Sequence, residues 1–299
     1  MLGRLSYAVF RYNGTCKRKV SPDVKGCNPL TGTRHPREEI KEIIAQDKPA
    51  YVRSLFDSIA RDYDRMNWIM TGGLLALWHR SFIRQTGLGR GERALDVCCG
   101  TGDLALLMAR RVGSSGRVVG VDFSPNMLAI AQDRSQKAAQ EKGGANGPLA
   151  QIEWRQGDAL ALDFPDGGPE EGFHCTTMGF ALRNVGDVAR SLAEMARVTR
   201  SGGRVVCLEV SRPHRALVRA GFSFYFYRVV PMIGRMAERG LPEGSALRRL
   251  RPYTYLPYSL DHLPPPDAIL AMMRDGGLER VRRIPLTGGA VALYVGEKP

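Results

Sequence analysis

The 299-residue sequence has no uninterrupted apolar run near the roughly 20 residues that cross a bilayer as a helix, which argues against integral membrane insertion. It also lacks internal repeats and low-complexity tracts. Cysteine is scarce. The six are Cys16, Cys27, Cys98, Cys99, Cys175 and Cys207, and no two form a Cys-x-x-Cys pair. Four of them fall inside or beside expected strands, as small buried hydrophobes do in a reducing compartment, and no metal site is expected. Acid is nearly missing at the start, where residues 1–37 carry eight Lys/Arg against Asp23 alone. This stretch lacks the apolar run and small-residue cleavage site of a secretory signal. Three readings stay open for it: an organellar transit segment, a basic disordered tail, or sequence added by an upstream start codon.

The formal charge of +13 is unevenly placed. Residues 200–299 hold sixteen basic and eight acidic side chains, whereas 38–199 hold nineteen and twenty-one. The excess therefore sits at the two ends. Basic ends beside apolar aromatics suit an anionic membrane surface as well as they suit nucleic acid. The 43% hydrophobic content is ample for a core.

What is present is a change of period. From Glu38, Ile40, Ile43 and Ile44 recur at helical spacing, Pro49 breaks the run, and Val52, Leu55, Phe56 and Ile59 resume it. Further helices are expected over 63–70 and 74–85. Strands then alternate with helices: strands at 93–98, 117–122, 152–156, 173–178 and 204–209, helices at 102–111, 125–140 and 188–198. Residues 143–148 read as a loop and Ser201-Gly202-Gly203 as a turn. An apolar-aromatic segment, 216–237, precedes a helix near 267–274 and two strands, 278–284 and 290–295. Such alternation implies an α/β fold with a mostly parallel sheet, and the short turn between the last two strands implies an antiparallel edge.

In open α/β sheets, ligands bind at the carboxyl ends of the strands. After strand one stands Asp96-Val97-Cys98-Cys99-Gly100-Thr101-Gly102-Asp103, where glycines let the backbone turn tightly before a helix whose N-terminus attracts a carboxylate. Asp122 ends strand two and is placed to accept ribose hydroxyls. These features fit a nicotinamide enzyme too, since Gly100-x-Gly102-x-x-Ala105 satisfies the dinucleotide fingerprint. Discrimination comes later. Gly157-Asp158-Ala159 can bracket an adenine ring, and Ser201-Gly202-Gly203 resembles the Pro-Gly-Gly turn of small-molecule methyltransferases. A helical segment ahead of strand one also argues against a dehydrogenase. The favoured cofactor is S-adenosyl-L-methionine.

Three further segments carry a resemblance. Phe56-Asp57-Ser58-Ile59-Ala60-Arg61-Asp62-Tyr63-Asp64-Arg65-Met66-Asn67, Gly179-Phe180-Ala181-Leu182-Arg183-Asn184-Val185 and Leu286-Thr287-Gly288-Gly289-Ala290-Val291-Ala292 resemble signatures of the UbiE-type menaquinone/ubiquinone C-methyltransferases, over roughly residues 50–299. The chain departs at Cys98-Cys99, where many relatives have Gly or Ala, and at Ala181, where Gly is usual. The resemblance implies a Rossmann-like class I S-adenosylmethionine methyltransferase: a seven-stranded, mostly parallel sheet with an antiparallel edge strand and an N-terminal helical cap. It implies cofactor contacts at Thr101, Asp122, Asp158, Ala159 and Gly179, beside Asp96, Gly100 and Gly102 of the loop. The expected organisation is a 1–37 extension, outside the resemblance, and one domain over 38–299. Within it, 38–90 is a cap, 91–210 the cofactor core, 211–266 a substrate- or membrane-facing insertion and 267–299 the closing helix and strands.

The implied reaction is ring C-methylation of a polyprenylated hydroquinone, with demethylmenaquinol favoured over a ubiquinone- or phylloquinone-pathway substrate. An aromatic carbon becomes nucleophilic once a neighbouring hydroxyl loses its proton, so the site needs a base and phenolate-stabilising groups. Arg183 and Asn184 are the catalytic candidates, with Tyr63 over the substrate as part of a lid. Phe222-Ser223-Phe224-Tyr225-Phe226-Tyr227-Arg228, flanked by Arg215, Arg219 and Arg235, suits a tail channel or membrane-facing surface. Expected partners are the quinol, a transient anionic membrane surface, and a homodimer or quinone-biosynthesis complex. The expected location is cytoplasmic and peripheral to the membrane, or organellar if 1–37 is a transit segment. Nucleic acid is not expected: enzymes of exocyclic base amines carry an acid or Asn with Pro-Pro-aromatic after strand four, where this chain reads Thr176-Thr177-Met178-Gly179-Phe180.

Overall fold

The computed structural model describes residues 36–60, 63–140, 149–168, 171–238 and 252–299. The basic extension up to residue 35, Arg61, Asp62 and the 143–148 loop lie outside the described residues, as do the side chains of Tyr63, Arg235, Tyr253 and Thr254. The chain divides into two compact units, residues 1–46 and 47–299. Of the first, only the helical backbone from residue 36 is described. The rest concerns the second.

Helix α1 (Pro36–Ile59) is interrupted at Asp47, whose φ of −157° and ψ of 87° are extended. The break falls two residues before Pro49. Asp47 Oδ1 accepts from the N–H of Ala50 at 3.0 Å, which caps a fresh helical start with Pro49 in its first turn. Helices α2 (Tyr63–Thr71) and α3 (Leu75–Thr86) follow, and α3 stops at left-handed Gly87.

Then come β1 (Arg93–Val97), α4 (Asp103–Val112), β2 (Arg117–Asp122), α5 (Pro125–Gln140), β3 (Gln151–Gln156), β4 (Phe173–Gly179), α6 (Val188–Val198) and β5 (Thr199–Val210). Beyond them lie α7 (Ala216–Phe224), a π-helical turn (Tyr225–Val229), α8 (Val230–Glu238), α9 (Pro252–Asp261), α10 (Pro266–Asp275), β6 (Glu279–Leu286) and β7 (Val291–Glu297). The turn expected at Ser201-Gly202-Gly203 is instead part of β5. Gly202 N–H donates to Lys298 O and Lys298 N–H to Gly203 O, so β7's tail pairs across it.

The strand order is β3-β2-β1-β4-β5-β7-β6. β1 to β5 run parallel, and β7 is antiparallel to both β5 and β6. The antiparallel pairing expected at the edge is present, with one difference of placement: the reversed strand lies one place in, and β6 takes the edge. The side chains explain it. Val291-Ala292-Leu293-Tyr294-Val295 is apolar throughout and wholly buried, as an interior strand must be, whereas β6 offers Arg280, Arg282, Arg283 and Pro285 to an edge. An inserted reversed strand also departs from the all-parallel 3-2-1-4-5-6 order of dinucleotide-binding folds, which removes the nicotinamide alternative. Two apolar clusters sandwich the sheet, one containing Met195, Ile269 and Tyr294, the other Phe82, Met108 and Leu293.

Candidate active site

The strands' carboxyl ends carry the site, beginning with the loop after β1. Cys99 N–H donates to Val121 O at 3.0 Å, and Gly102 N–H donates to Cys99 O at 2.9 Å. Gly102 has φ of 86°, and a Cβ there would lie 2.6 Å from the Trp154 ring, so both backbone and packing require glycine. Gly100, φ 54°, is different: a Cβ on it would meet nothing within 4 Å. The space before it is a cradle in which a ligand can approach the main chain.

Asp122, buried at the end of β2, braces this loop. Its Oδ2 accepts from Gly100 N–H at 2.8 Å and its Oδ1 from Ser124 N–H at 2.9 Å. Each oxygen keeps a lone pair for another donor. Burial raises its pKa, which those backbone N–H groups oppose. Ser124 Oγ accepts from Met127 N–H at 3.1 Å, capping α5, and donates to Asp57 Oδ1 at 2.5 Å. Thr101 is held similarly, its hydroxyl donating to Asp64 Oδ1 at 2.8 Å, while Arg134 contacts Asp64 at 3.0 Å and Asp103 at 2.5 Å. Asp64 thus ties the helical segment to the cofactor loop, and Asp57 ties it to the turn after β2. Both stand in the first signature, but spacing alone assigned them no role.

Asp96 is fully buried. Thr177 donates to its Oδ1 at 2.7 Å, yet desolvation dominates and pushes its pKa up to about 7. Burial likewise pushes the Cys98 and Cys99 thiols well up, helped by the nearby Asp122 and Asp96 carboxylates. They are neutral thiols lining a pocket, not nucleophiles. Asp158 is exposed and accepts Leu160 N–H at 2.9 Å, while Ala159 is buried.

Two cavities open here. The smaller, about 420 Å³, is bounded by Asp122, Met127, Asp158, Ala159, Gly179 and Asn184. The larger, about 690 Å³, takes in Asp96, Thr101, Arg183, Phe222, Tyr225 and Tyr255. They share Phe56, Cys98, Gly100, Gly179 and Phe180. Four described non-glycine residues have positive φ, and three of them, Cys98 (55°), Phe180 (55°) and Thr287 (48°), line the larger cavity. Strain of this kind persists where surrounding structure enforces it, commonly at working sites. Thr287 is enforced by Trp78, whose Nε1–H donates to its hydroxyl at 2.7 Å. That bond gives the closing signature a physical reason.

Arg183 and Asn184, neighbours in sequence, part company here. Arg183 is buried against fully buried Glu209 of β5 in an ion pair, and Glu209 Oε1 also accepts Val210 N–H at 2.8 Å. Asn184 lines the other cavity, its Oδ1 accepting from Tyr255 OH at 3.0 Å and its Nδ2 donating to Phe180 O at 3.3 Å. Both its polar atoms are engaged in these bonds, and it faces a different cavity from Arg183. Lys48 Nζ donates to Arg183 O (3.2 Å) and Val185 O (2.9 Å), pinning the loop. Tyr63 opens α2, and its side chain lies outside the described residues. Lys48, Glu209 and Arg134 carry no motif signal; only packing brings them in.

The α7–α8 segment has two faces. Phe222, Tyr225, Phe226 and Val230 line the larger cavity, and Tyr225 OH donates to Met70 O of α2 at 2.8 Å. Leu217, Phe224, Met232 and Met236 point to solvent. No described helix is long and apolar enough to cross a membrane.

Comparison with known proteins gives the same reading. A methyltransferase seen in complex with the Trm112 activator of Haloferax volcanii superposes with a TM-score of 0.53 at 16% identity, covering 82% of this chain and 97% of that one. An S-adenosylmethionine-dependent methyltransferase of Thermotoga maritima gives 0.50 at 17%, covering 83% and 100%. At such identities they speak for the fold alone. In sequence, a demethylmenaquinone methyltransferase of Symbiobacterium thermophilum is 39% identical over 253 residues, 85% of this chain and 94% of the relative. A ubiquinone/menaquinone biosynthesis C-methyltransferase of Teredinibacter turnerae is 36% identical over 254 residues, with the same coverages. The family model matches residues 44–298, and the chain belongs to the ubiE/COQ5 methyltransferase family, whose cofactor is S-adenosylmethionine.

Proposed function

We propose that the chain methylates a ring carbon of a polyprenylated hydroquinone, demethylmenaquinol, forming menaquinol. The carrying observation is the pair of cavities meeting at Cys98, Gly100 and Phe180. One is polar-ended and sized for a nucleoside. The other is mostly apolar and large enough for a fused ring with the start of a prenyl tail. The names borne by the relatives support the naphthoquinol substrate.

S-adenosylmethionine, when bound, supplies an electrophilic methyl group on sulfur. The chain's own residues do the rest. Asp122 and the Gly100–Gly102 turn receive the ribose, Asp158 and Ala159 the adenine, and ionised Asp96 the α-ammonium group. Gly179, which lines both cavities, contacts the cofactor where β4 ends. Arg183, oriented by Glu209, stabilises the negative oxygen that forms when the quinol hydroxyl loses its proton. At its ordinary pKa it cannot itself be the base. One proton leaves for each methyl gained. Alignment and exclusion of water supply much of the rate.

The tail stays in the bilayer, since exposing it costs ~0.8 kcal/mol per CH₂. The outer face of α7 and α8, with its apolar side chains and the exposed Arg215, Arg219 and Arg228, would rest on an anionic surface. A methylation assay with demethylmenaquinol and a demethoxyubiquinol analogue tests the substrate. Faster turnover of the naphthoquinol is expected; preference for the benzoquinol would overturn it.

A further inference from the structure

The larger cavity is short of available positive charge beside the cofactor loop. Among the described residues its acidic lining groups are Asp96 of β1 and Asp103 of α4, and its basic ones are Arg183 and His79. Arg183 is taken by Glu209. Of the other described cations near the loop, Arg134 is taken by Asp64 and Asp103 and lines neither cavity, and Arg53 lines only the smaller one. His79 remains. It is half-buried on α3, next to Trp78, whose bond to Thr287 at 2.7 Å fixes that stretch of the helix.

An amino-acid moiety entering this cavity brings an ammonium and a carboxylate. Asp96 suits the ammonium. The carboxylate needs a donor of its own among two acids, and the N-terminus of α4 offers only partial positive charge behind Asp103. The geometry points to His79 as the binding residue for the cofactor's α-carboxylate, donating a ring N–H to it where α4 begins. This assignment rests on the cofactor placement proposed above.

The neighbouring charges set its proton behaviour. Burial lowers the His79 pKa, Asp103 from α4 raises it, and Arg134 from α5 lowers it. Asp64 of α2 and Asp96 of β1 face the same region. A carboxylate against the ring favours the imidazolium, so ligand binding raises the affinity of His79 for a proton.

The test compares two ligands on the full chain by titration calorimetry. S-adenosylhomocysteine carries the amino-acid group; 5′-methylthioadenosine has the same nucleoside and thioether without it. His79→Ala should weaken S-adenosylhomocysteine about tenfold or more, leave 5′-methylthioadenosine within about twofold, and His79→Lys should restore most of the loss. Equal weakening of both ligands, or no change for either, would overturn the assignment. Should His79→Ala fail to fold, His79→Gln serves. In buffers of different ionisation heat it should take up fewer protons than the parent on binding S-adenosylhomocysteine, and equal uptake overturns the proposal. Parent protein that binds neither ligand would instead defeat the cofactor placement.

Discussion

Arg183 and Glu209 form an ion pair in which Glu209 is wholly buried and Arg183 only 8% exposed. One oxygen of Glu209 also takes the Val210 N–H, while Arg183 Nε and Glu209 Oε2 have no hydrogen-bond partner. The pair joins the end of β5 to the loop after β4, and it aims a cation at the larger cavity.

Arg183→Ala should lower kcat by about 100-fold and leave the Kd for S-adenosylmethionine within about threefold. Steady-state kinetics and calorimetry separate the two. Equal loss of turnover and affinity would remove Arg183 from the chemistry.

Glu209→Ala leaves the guanidinium buried without its counter-charge, which should cost about 3–5 kcal/mol of stability. Thermal unfolding of the single variant, and of Glu209→Ala with Arg183→Met, checks it. The double variant should recover much of the lost Tm.

Asp96 carries a pH signature. Its pKa is raised to about 7, so between its unfolded value near 3.8 and about 7 the folded chain holds the extra proton. Stability of the ligand-free protein should then fall as pH rises through that window, by up to ~1.4 kcal/mol per unit. Cofactor affinity should move oppositely, strengthening up to about pH 7 as the carboxylate ionises to meet an ammonium group. Asp96→Asn should flatten the stability slope. Denaturant midpoints at pH 4–8 provide the measurement.

Gly102→Ala places a methyl 2.6 Å from Trp154 at a φ of 86°. About 2–4 kcal/mol should be lost, with weaker cofactor binding. Gly100→Ala meets no protein atom, so it should lose cofactor affinity by filling the cradle, beyond any loss of stability. Paired unfolding and binding data distinguish the two glycines.

Replacing Leu217, Phe224, Met232 and Met236 with Ser should reduce flotation with anionic vesicles while sparing turnover of a short-tailed quinol. Unchanged flotation would detach α7 and α8 from the membrane reading.

Much of this was legible early because it is local. Strand–helix alternation is written in the hydrophobic period, and the Gly100–Gly102 turn with Asp122 announces a nucleoside site from residue type and position alone. Even the interior place of β7 is implicit in Val291-Ala292-Leu293-Tyr294-Val295, although the terminal hairpin suggested a simpler edge. The Ser201-Gly202-Gly203 turn misled because nothing local reveals that Lys298 will pair with it.

The motifs by themselves determined the parallel sheet, the cofactor loop and the chemical family. Each depends on backbone demands that a few neighbouring residues express. Only the tertiary structure decided that Arg183 and Asn184 line different cavities, that Glu209 sits against the first, and that Asp64 and Asp57 tie the helical segment to the loops after β1 and β2. Those are contacts between residues 26 to 71 positions apart, and which side chain meets which depends on how helices and strands pack, not on spacing along the chain.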